Sequence, residues 1–430
     1  MDEGTNNDRP AIAVVGGGIG GLIAAISARD HGASVVLVEP QSLGGRGRVD
    51  DRRGYLFNRG PRALYVGGPA EQTLVGLGVD VAHGSPPPLQ APQALADGRL
   101  HRLPDGPVAS LRTSLFTTRE RLGMTRTVLP LVRDPGPMAS TTSLEAWLDA
   151  RHARGAPRQF VEAMARLATY INAPDILPAD LAFSSARRAA TLGVRYLDGG
   201  FATIVDQLAQ RARARGVKIL TAPVTKLTPH QGRWTVSTPH SELDVEAAVV
   251  ATGGPESAAM LLGHRPSTWS LVGPPATVAC LELGVRRLPA TRFVLGIDDP
   301  TYLSVHGPPA SLAPEGHGVI HVMRYRPQDD PMDHDAVRHQ LRGLAALVGI
   351  TDDDIDEERF LSHMVVTAAM PAAAAGGMGS RPDVAVAGHP GLYVAGDWVG
   401  PEGLLLDAVA ASAFAAGRHA AIRCATMKDP

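Results

Sequence analysis

Three spaced glycines near the N-terminus, followed by an acid, have the residue types and spacing that bind the ADP part of a dinucleotide. Gly16, Gly18 and Gly21 form the pattern G-x-G-x-x-G. In this pattern the first glycine permits a tight turn, the second lets the backbone approach a pyrophosphate, and the third lets a helix pack closely on a strand. Glu39 stands where a carboxylate accepts hydrogen bonds from ribose hydroxyls and repels a 2′-phosphate. The sequence therefore predicts a site for NAD or FAD rather than NADP.

The residues around these glycines predict the elements that such a site needs. An unbroken apolar run over 11–15 is typical of a buried parallel strand, and a second run covers 35–38. Between them, apolar residues at intervals of three and four predict a helix that ends near Gly32. The first amides of that helix would face the phosphates. The alternative is a strand-helix-strand unit with no ligand.

Composition excludes several classes of partner. The chain has 41 Lys and Arg against 43 Asp and Glu, a formal net charge of -2, which argues against nucleic acid. Only two cysteines occur, Cys280 and Cys424, so neither a disulfide framework nor a thiolate metal site is expected. No stretch reaches the roughly 18 apolar residues of a membrane span, and the N-terminus lacks a signal pattern. We expect a cytoplasmic protein.

Peripheral membrane contact is a further hypothesis. Residues 119–134 mix apolar side chains with basic ones at both ends. Such a segment could lie on a bilayer surface and collect a lipophilic substrate. An ordinary helix of a substrate domain is the alternative.

A glycine-rich loop follows the second predicted strand. Gly44-Gly45-Arg46 would bring a guanidinium to the dinucleotide, where its planar fork forms charge-assisted hydrogen bonds with phosphate. A flexible surface turn is the alternative.

This loop and the segment "GYLFNRGPR" at 54–62 resemble FAD-dependent oxidoreductases of the flavin amine oxidase, phytoene desaturase and protoporphyrinogen oxidase superfamily. In that group a G-G-R loop follows the acid, and a segment of the type G-x-x-F-D-x-G-P-H runs past the flavin ring. Here Asn58 stands where an acid is common and Arg62 where a histidine is common. The resemblance continues, in the family's order, at 194–227, 244–254 and 391–421.

The resemblance implies FAD as the cofactor and a set of residues that hold it. This set is Gly16, Gly18, Ile19, Gly20, Gly21, Glu39, Pro40, Gly45, Arg46, Gly60, Pro61, Arg62, Val224, Thr252, Gly253, Gly396, Asp397, Gly403, Leu404 and Leu405. No second dinucleotide pattern occurs, so we expect no NAD(P)H domain. Reoxidation would then fall to oxygen, a quinone or another diffusible acceptor.

The C-terminal part of this set can also be interpreted from its residue types, apart from the resemblance. A short apolar strand over 392–395 ends at Asp397, whose carboxylate is available to a ribitol hydroxyl, and a helix is predicted from near Leu404. The positive end of its dipole would suit the flavin edge where negative charge gathers on reduction. The alternative is an ordinary strand-helix unit with Asp397 as a cap.

The predicted fold class is α/β, with a Rossmann-type, three-layer FAD-binding domain and an inserted α+β substrate-binding domain. Segments 9–85, 194–262 and 385–424 would build the first, and 86–193 and 263–384 the second. Within the insertions we expect a helix with a capping box from Thr142 to Glu145, helices over 157–172 and 333–348, and strands over 277–285 and 318–325.

Candidate residues for the chemistry are few. Tyr170, Tyr196, His321 and Tyr325 would line a substrate pocket or belong to the core. Arg62 and Tyr325 are the candidates for catalysis, and Arg324 or Tyr325 would meet the substrate.

A metal site is not predicted. The acids of 351–359 lack the glycine and terminal glutamate of a calcium loop, so a solvated helix start is expected there. The histidines show no ligand spacing along the chain.

The predicted function is removal of hydride from a lipophilic small molecule, isoprenoid or polycyclic, by bound FAD. Amine or amino-acid oxidation is less favoured, because amine oxidases of this superfamily usually carry a lysine that holds water against the flavin. The three lysines here, Lys218, Lys226 and Lys428, lie beside the predicted adenine strand or in the tail. A function of another class is the further alternative: the protein could be a non-redox FAD-dependent isomerase or an FAD-binding scaffold.

Overall fold

The computed structural model of this protein describes residues 10–89, 91–104, 112–128, 130, 133, 139–328 and 330–427; within 122–126 it describes the backbone only. The helices are α1 Ile19–Asp30, α2 Pro69–Gly76, α3 Thr118–Val128, α4 Leu144–Asp149, α5 Gly155–Thr169, α6 Ala179–Leu192, α7 Ala202–Ala214, α8 Pro255–Leu262, α9 His334–Leu347 and α10 Leu406–Thr426.

The strands are β1 Ile12–Val15, β2 Val35–Glu39, β3 Asp50–Arg52, β4 Tyr55–Phe57, β5 Leu64–Tyr65, β6 Gly84–Ser85, β7 Gln93–Ala96, β8 Arg99–Arg102, β9 Val194–Leu197, β10 Lys218–Thr221, β11 Lys226–His230, β12 Arg233–Ser237, β13 Glu242–Val245, β14 Ala247–Val250, β15 Ala276–Val285, β16 Phe293–Gly296, β17 Thr301–Gly307, β18 Gly318–Arg326, β19 Ile355–Thr367 and β20 Leu392–Val394.

A parallel sheet of five strands, in the order β10-β2-β1-β14-β20, is the base of the molecule. On one face Ile12 and Val14 pack with apolar residues of α1, α7 and α10. On the other face Ala13 and Val15 pack with α8 and the antiparallel sheet β11-β12-β13. Both faces are covered, which is why β1 and β14 consist of apolar residues without alternation. The predicted α/β, Rossmann-type class is confirmed.

A second sheet has seven strands, in the order β19-β15-β18-β17-β16-β7-β8. Neighbouring strands are antiparallel except β16 and β7. Helix α9 covers one face, and helices α4, α5 and α6 contribute to the core on the other. The strands of the parallel sheet come from the three segments predicted for the FAD-binding domain; where that domain ends stays a prediction.

Two local predictions are wrong. The cap of α4 is Ser143, whose hydroxyl accepts a hydrogen bond from the amide of Ala146 at 3.1 Å, so the capping box does not start at Thr142. In 351–359 the expected helix start is a single 3-10 turn over 352–354, capped by Thr351, and β19 follows it directly. The chain extends there because its backbone pairs with β15, and that pairing outweighs local preference.

No helix in the described ranges is long and apolar enough to cross a membrane. The segment 119–134, proposed to lie on a bilayer surface, falls largely outside the described side chains.

Candidate cofactor and substrate site

A cavity of about 860 Å³ lies at the carboxyl ends of the parallel strands. Its lining includes Val15, Glu39, Ala251 and Ala395, which end or directly follow β1, β2, β14 and β20. Open α/β sheets bind their ligands at this edge. The volume is within the range of ligand pockets, roughly 300–1,000 Å³.

The three glycines of the first motif have the geometry that a nucleotide requires. Gly16 has φ of 106°, and a Cβ there would lie 2.5 Å from the carbonyl oxygen of Ala251. A Cβ on Gly21 would lie 1.8 Å from the carbonyl oxygen of Gly16, so α1 packs on β1 only with glycine. A Cβ on Gly18 would lie 3.9 Å from the carbonyl oxygen of Gly44, an ordinary contact, and α1 starts there without a side-chain cap. The first amides of α1 are therefore available to a phosphate.

Glu39 is held in place at the end of β2. One carboxylate oxygen accepts from the amide of Gly17 at 2.7 Å and the other from the amide of Gln41 at 3.0 Å. A carboxylate has about four acceptor positions, so capacity is left for ribose hydroxyls. Glu39 and Val224, the residue expected beside the adenine, both line the cavity.

Arg46 and Asp397 form an ion pair at 2.8 Å, although they are 351 residues apart in the chain. The Asp397 carboxylate is buried and also accepts from the amide of Ala368 at 3.2 Å. The sequence suggested that Asp397 is available to a ribitol hydroxyl. The structure shows that it also orients Arg46, and both side chains line the cavity.

The C-terminal helix begins two residues later than predicted. α10 starts at Leu406, and its N-cap, Leu405, has φ of 53° and no side-chain cap. The carboxylate of Asp407 in the first turn accepts from the amide of Ala70 at 2.9 Å and pairs with Arg188 at 2.7 Å. These contacts fix the start of α10 against α2. The dipole of α10 favours negative charge at this end of the helix.

The structure brings most of the predicted cofactor residues to one cavity. The lining includes Gly16, Gly18, Ile19, Gly20, Glu39, Pro40, Gly45, Arg46, Arg62, Val224, Thr252, Gly253, Gly396, Asp397 and Leu405. Five others are outside the lining: Gly21, Gly60, Pro61, Gly403 and Leu404. Which of them contact FAD stays a prediction.

The segment before Arg62 is held by buried groups. Gly60 donates its amide to Glu282 at 2.6 Å, and Glu282 pairs with Arg359, which also pairs with Asp50. Asn58 is buried, and its side-chain carbonyl accepts from the amide of Phe201 at 2.8 Å. This hydrogen bond helps to hold the segment.

Arg62 is enclosed by protein and reaches the cavity. Burial, and next to it the Arg46 cation, lower the pKa of Arg62 to about 10. Its guanidinium donates to the carbonyl oxygens of Arg46 and Arg59 at 3.3 and 3.4 Å. No carboxylate of the described chain lies within ion-pair distance of it, whereas Arg46 and Arg59 each have one and Arg359 has two.

The other candidates lie apart from the cavity lining. Tyr196, His321 and Tyr325 are buried in the core, and burial raises the pKa of Tyr170 and Tyr325. Arg324 is on the face of β18 opposite to that of Tyr325, because successive side chains of a strand alternate, and it pairs with Asp299 at 2.9 Å. Of the two catalytic candidates, only Arg62 reaches the cavity.

Cys280, Glu282 and His321 place their ligand atoms within 4.8 Å of one another. Glu282 is already neutralised by Arg359 and hydrogen-bonded to Gly60. Burial raises the pKa of the Cys280 thiol, which opposes the thiolate that a metal needs. We therefore treat this cluster as part of the network that fixes the Gly60 segment.

Sequence reasoning missed one wall of the cavity. The β19 wall consists of Leu361, His363, Met364, Val365 and Val366. All five fall in the second insertion, where a substrate layer was expected, but no motif marks them individually. Their position depends on the pairing of β19 with β15, which joins residues about 80 positions apart, as Leu361 with Cys280.

The donor set fits FAD. Helix amides without a side-chain cap, the Glu39 carboxylate and the guanidiniums of Arg46 and Arg62 lie around one cavity, and β19 of the seven-stranded sheet forms one of its walls. These features define a dinucleotide-binding oxidoreductase of the Rossmann type. Residues 19–425 match the model of the flavin containing amine oxidoreductase family. The chain belongs to this family, and it is an FAD-dependent oxidoreductase.

Solved structures share this fold over nearly the whole chain. An oxidoreductase from Methanosarcina mazei is 19% identical, with a TM-score of 0.75 over 94% of this chain and 99% of that one. A putative protoporphyrinogen oxidase from Exiguobacterium sp. 255-15 is 16% identical, with a TM-score of 0.70 over 97% and 100%. Cyclohexylamine oxidase from Brevibacterium oxydans IH-35A is 15% identical, with a TM-score of 0.69 over 98% of this chain and 100% of that one.

A 4,4'-diapolycopene oxygenase from Methylomonas sp. is 36% identical over 78 residues, which is 18% of this chain. The match spans 16% of that relative's length.

Proposed function

We propose that this flavoenzyme removes hydride from a carbon of a lipophilic molecule, isoprenoid or polycyclic and of the secondary-metabolite kind. The observation that carries the proposal is the β19 wall, which is apolar apart from His363. Leu405 extends the apolar lining. Such a lining stabilises an apolar substrate by removing its surface from water.

Among the described residues, the cavity lining offers an ammonium substrate no free carboxylate and includes no lysine. Its carboxylates are Glu39, bonded to two amides, and Asp397, paired with Arg46. Within the described chain no lysine lines it, since Lys218 and Lys226 are exposed on β10 and β11. An ammonium substrate would thus meet guanidiniums rather than a free carboxylate.

When bound, FAD supplies a hydride acceptor. The residues of the chain have three tasks beside it. The amides at the start of α1 and the Glu39 carboxylate hold the nucleotide end. Arg62 is the cation that we assign to the ring end, where it would stabilise developing negative charge. The β19 wall excludes water and orients the carbon that loses hydride.

The relative that matches over 78 residues supports this choice of substrate class, because it is named as a 4,4'-diapolycopene oxygenase. The electron acceptor, whether oxygen, a quinone or another small molecule, stays a prediction.

Product mass tests the proposal. The chain is incubated with isoprenoid hydrocarbons and, separately, with primary amines, in the presence of oxygen or a quinone. The proposal expects a hydrocarbon product lighter by two hydrogen atoms and no turnover of amines. A product of unchanged mass would instead identify an isomerase, and turnover of amines alone would identify an amine oxidase.

A further inference from the structure

Two histidines on the surface face each other outside the cofactor site. The Nε2 atoms of His264 and His389 are 3.0 Å apart, and the two rings lie within 24° of parallel. The residues are 125 positions apart in the sequence. Spacing along the chain could therefore not reveal the pair.

The hydrogen bonds of the other ring nitrogens fix where the protons are. Nδ1 of His264 lies 3.2 Å from the carbonyl oxygen of Leu262, and Nδ1 of His389 lies 3.0 Å from that of Ala387. A carbonyl oxygen only accepts, so each Nδ1 carries a hydrogen. A neutral imidazole has one N–H, so both Nε2 atoms present lone pairs. Two lone pairs 3.0 Å apart repel each other unless a positive charge lies between them.

From this geometry we infer that His264 and His389 bind a divalent transition-metal cation, Cu²⁺, Ni²⁺ or Zn²⁺. Imidazole nitrogen suits these ions. Metal-bound histidines almost always donate the other ring N–H to a carbonyl or carboxylate, as both rings do here. Metal–nitrogen bonds of about 2.0–2.1 Å at cis positions place two nitrogens about 3 Å apart, which is the separation found.

The backbone on both sides holds the rings ready. His264 follows Gly263, which ends α8 with φ of 72°. His389 lies in a turn, where its amide donates to Val386 and its carbonyl accepts from Leu392, each at 3.0 Å. The buried Trp234 donates its indole N–H to the carbonyl of Pro390 at 3.0 Å. Little ordering of the chain is then needed when a cation binds.

The site would be open to water. His264 is exposed and His389 half-buried. In the part of the chain that the structure describes, the group of three possible ligand side chains is Cys280, Glu282 and His321, and no third such side chain joins His264 and His389. Water would therefore complete the coordination shell. A bound cation would join the end of α8 to the turn that leads into β20.

Copper titration tests this inference on the FAD-loaded full chain, purified without a polyhistidine tag. We expect one Cu²⁺ per chain, with EPR nitrogen couplings from two imidazoles. His264→Asn and His389→Asn should each weaken binding by about tenfold or more, since each removes one of two ligands. His240→Asn, at an exposed histidine in the turn between β12 and β13, is the matched control and should bind as the wild type does.

A shared proton would also relieve the repulsion between the rings, and the same titration separates the two cases. Copper bound through fewer than two imidazoles, or bound equally by all the variants, would overturn the inference. Thermal unfolding with Ni²⁺ gives a second readout. The inference expects a higher Tm for the wild type and for His240→Asn only, because a ligand that binds the native state stabilises it.

Discussion

In the cavity lining Arg62 is a cation without a carboxylate within ion-pair distance among the described residues, beside the like-charged Arg46. Such a group stabilises an anion that comes near it. Reduced flavin carries negative charge, so removal of the cation should make the flavin harder to reduce.

Arg62→Gln should therefore lower the reduction potential of the bound flavin by about 30 mV or more, the shift that a tenfold change in a two-electron equilibrium gives. The measurement is anaerobic dye-linked titration of the holoenzyme. Arg53→Gln, at an exposed arginine of the same segment that pairs with Glu357, should leave the potential unchanged. An unchanged potential in Arg62→Gln would place this residue away from the ring.

Glu39 gives a prediction for the nucleotide end. Glu39→Gln removes the charge and replaces one acceptor oxygen with a donor, which opposes the amide of Gly17 or a ribose hydroxyl. The Kd for FAD should rise about tenfold or more, as the loss of charge-assisted hydrogen bonds does. Reconstitution followed by quenching of FAD fluorescence measures it, with Glu242→Gln on β13 as the control. Equal affinity in the two variants would remove Glu39 from the site.

At the scale of elements, the contact between α1 and β1 depends on glycine. A Cβ on Gly21 would overlap the carbonyl oxygen of Gly16, and backbone atoms cannot move aside as a flexible side chain can. Gly343 in α9 is the contrasting case, because a Cβ there meets nothing within 4 Å and the residue is exposed.

Gly21→Ala should destabilise the chain by about 1–3 kcal/mol and abolish tight FAD binding, because overpacking shifts α1 from the phosphate position. Gly343→Ala should stabilise it by about 0.5–1 kcal/mol, the difference in helix propensity. Urea unfolding of both variants measures the free energies. Equal effects of the two substitutions would contradict the close contact of α1 with β1.

The elements also differ in how well their structure can be predicted from the sequence. The first motif predicts β1, α1 and β2 because its glycines, apolar runs and terminal acid are local signals. The β19 wall has no local signal. The acids of 351–359, just before it in the chain, suggest a solvated helix, and the pairing with β15 makes the whole segment from Ile355 to Thr367 a strand. The pairing of Arg46 with Asp397 is likewise a product of the tertiary fold.

At the scale of the whole molecule, buried histidines link stability to pH. Burial lowers the pKa of His321 to about 4, opposed by Glu282, and burial also lowers the pKa of His306. In the unfolded chain a histidine titrates near pH 6.5. Between these values the unfolded state binds protons that the native state does not, so stability falls as pH falls from about 6.5 to about 4.

The loss of unfolding free energy between pH 7 and pH 5 should therefore be smaller in His321→Gln than in the wild type. Urea titrations at both pH values measure it, and the comparison uses the change with pH rather than the absolute stability. An equal loss in both proteins would show that His321 does not resist protonation.

We propose that the cavity brings a hydrocarbon substrate to a flavin that accepts hydride. The most direct test mixes the purified yellow holoenzyme, without oxygen, with an isoprenoid hydrocarbon and follows the flavin absorbance. We expect the hydrocarbon to bleach the flavin and a primary amine to leave it oxidised. A flavin that stays oxidised with hydrocarbons and bleaches with an amine would contradict the proposed function.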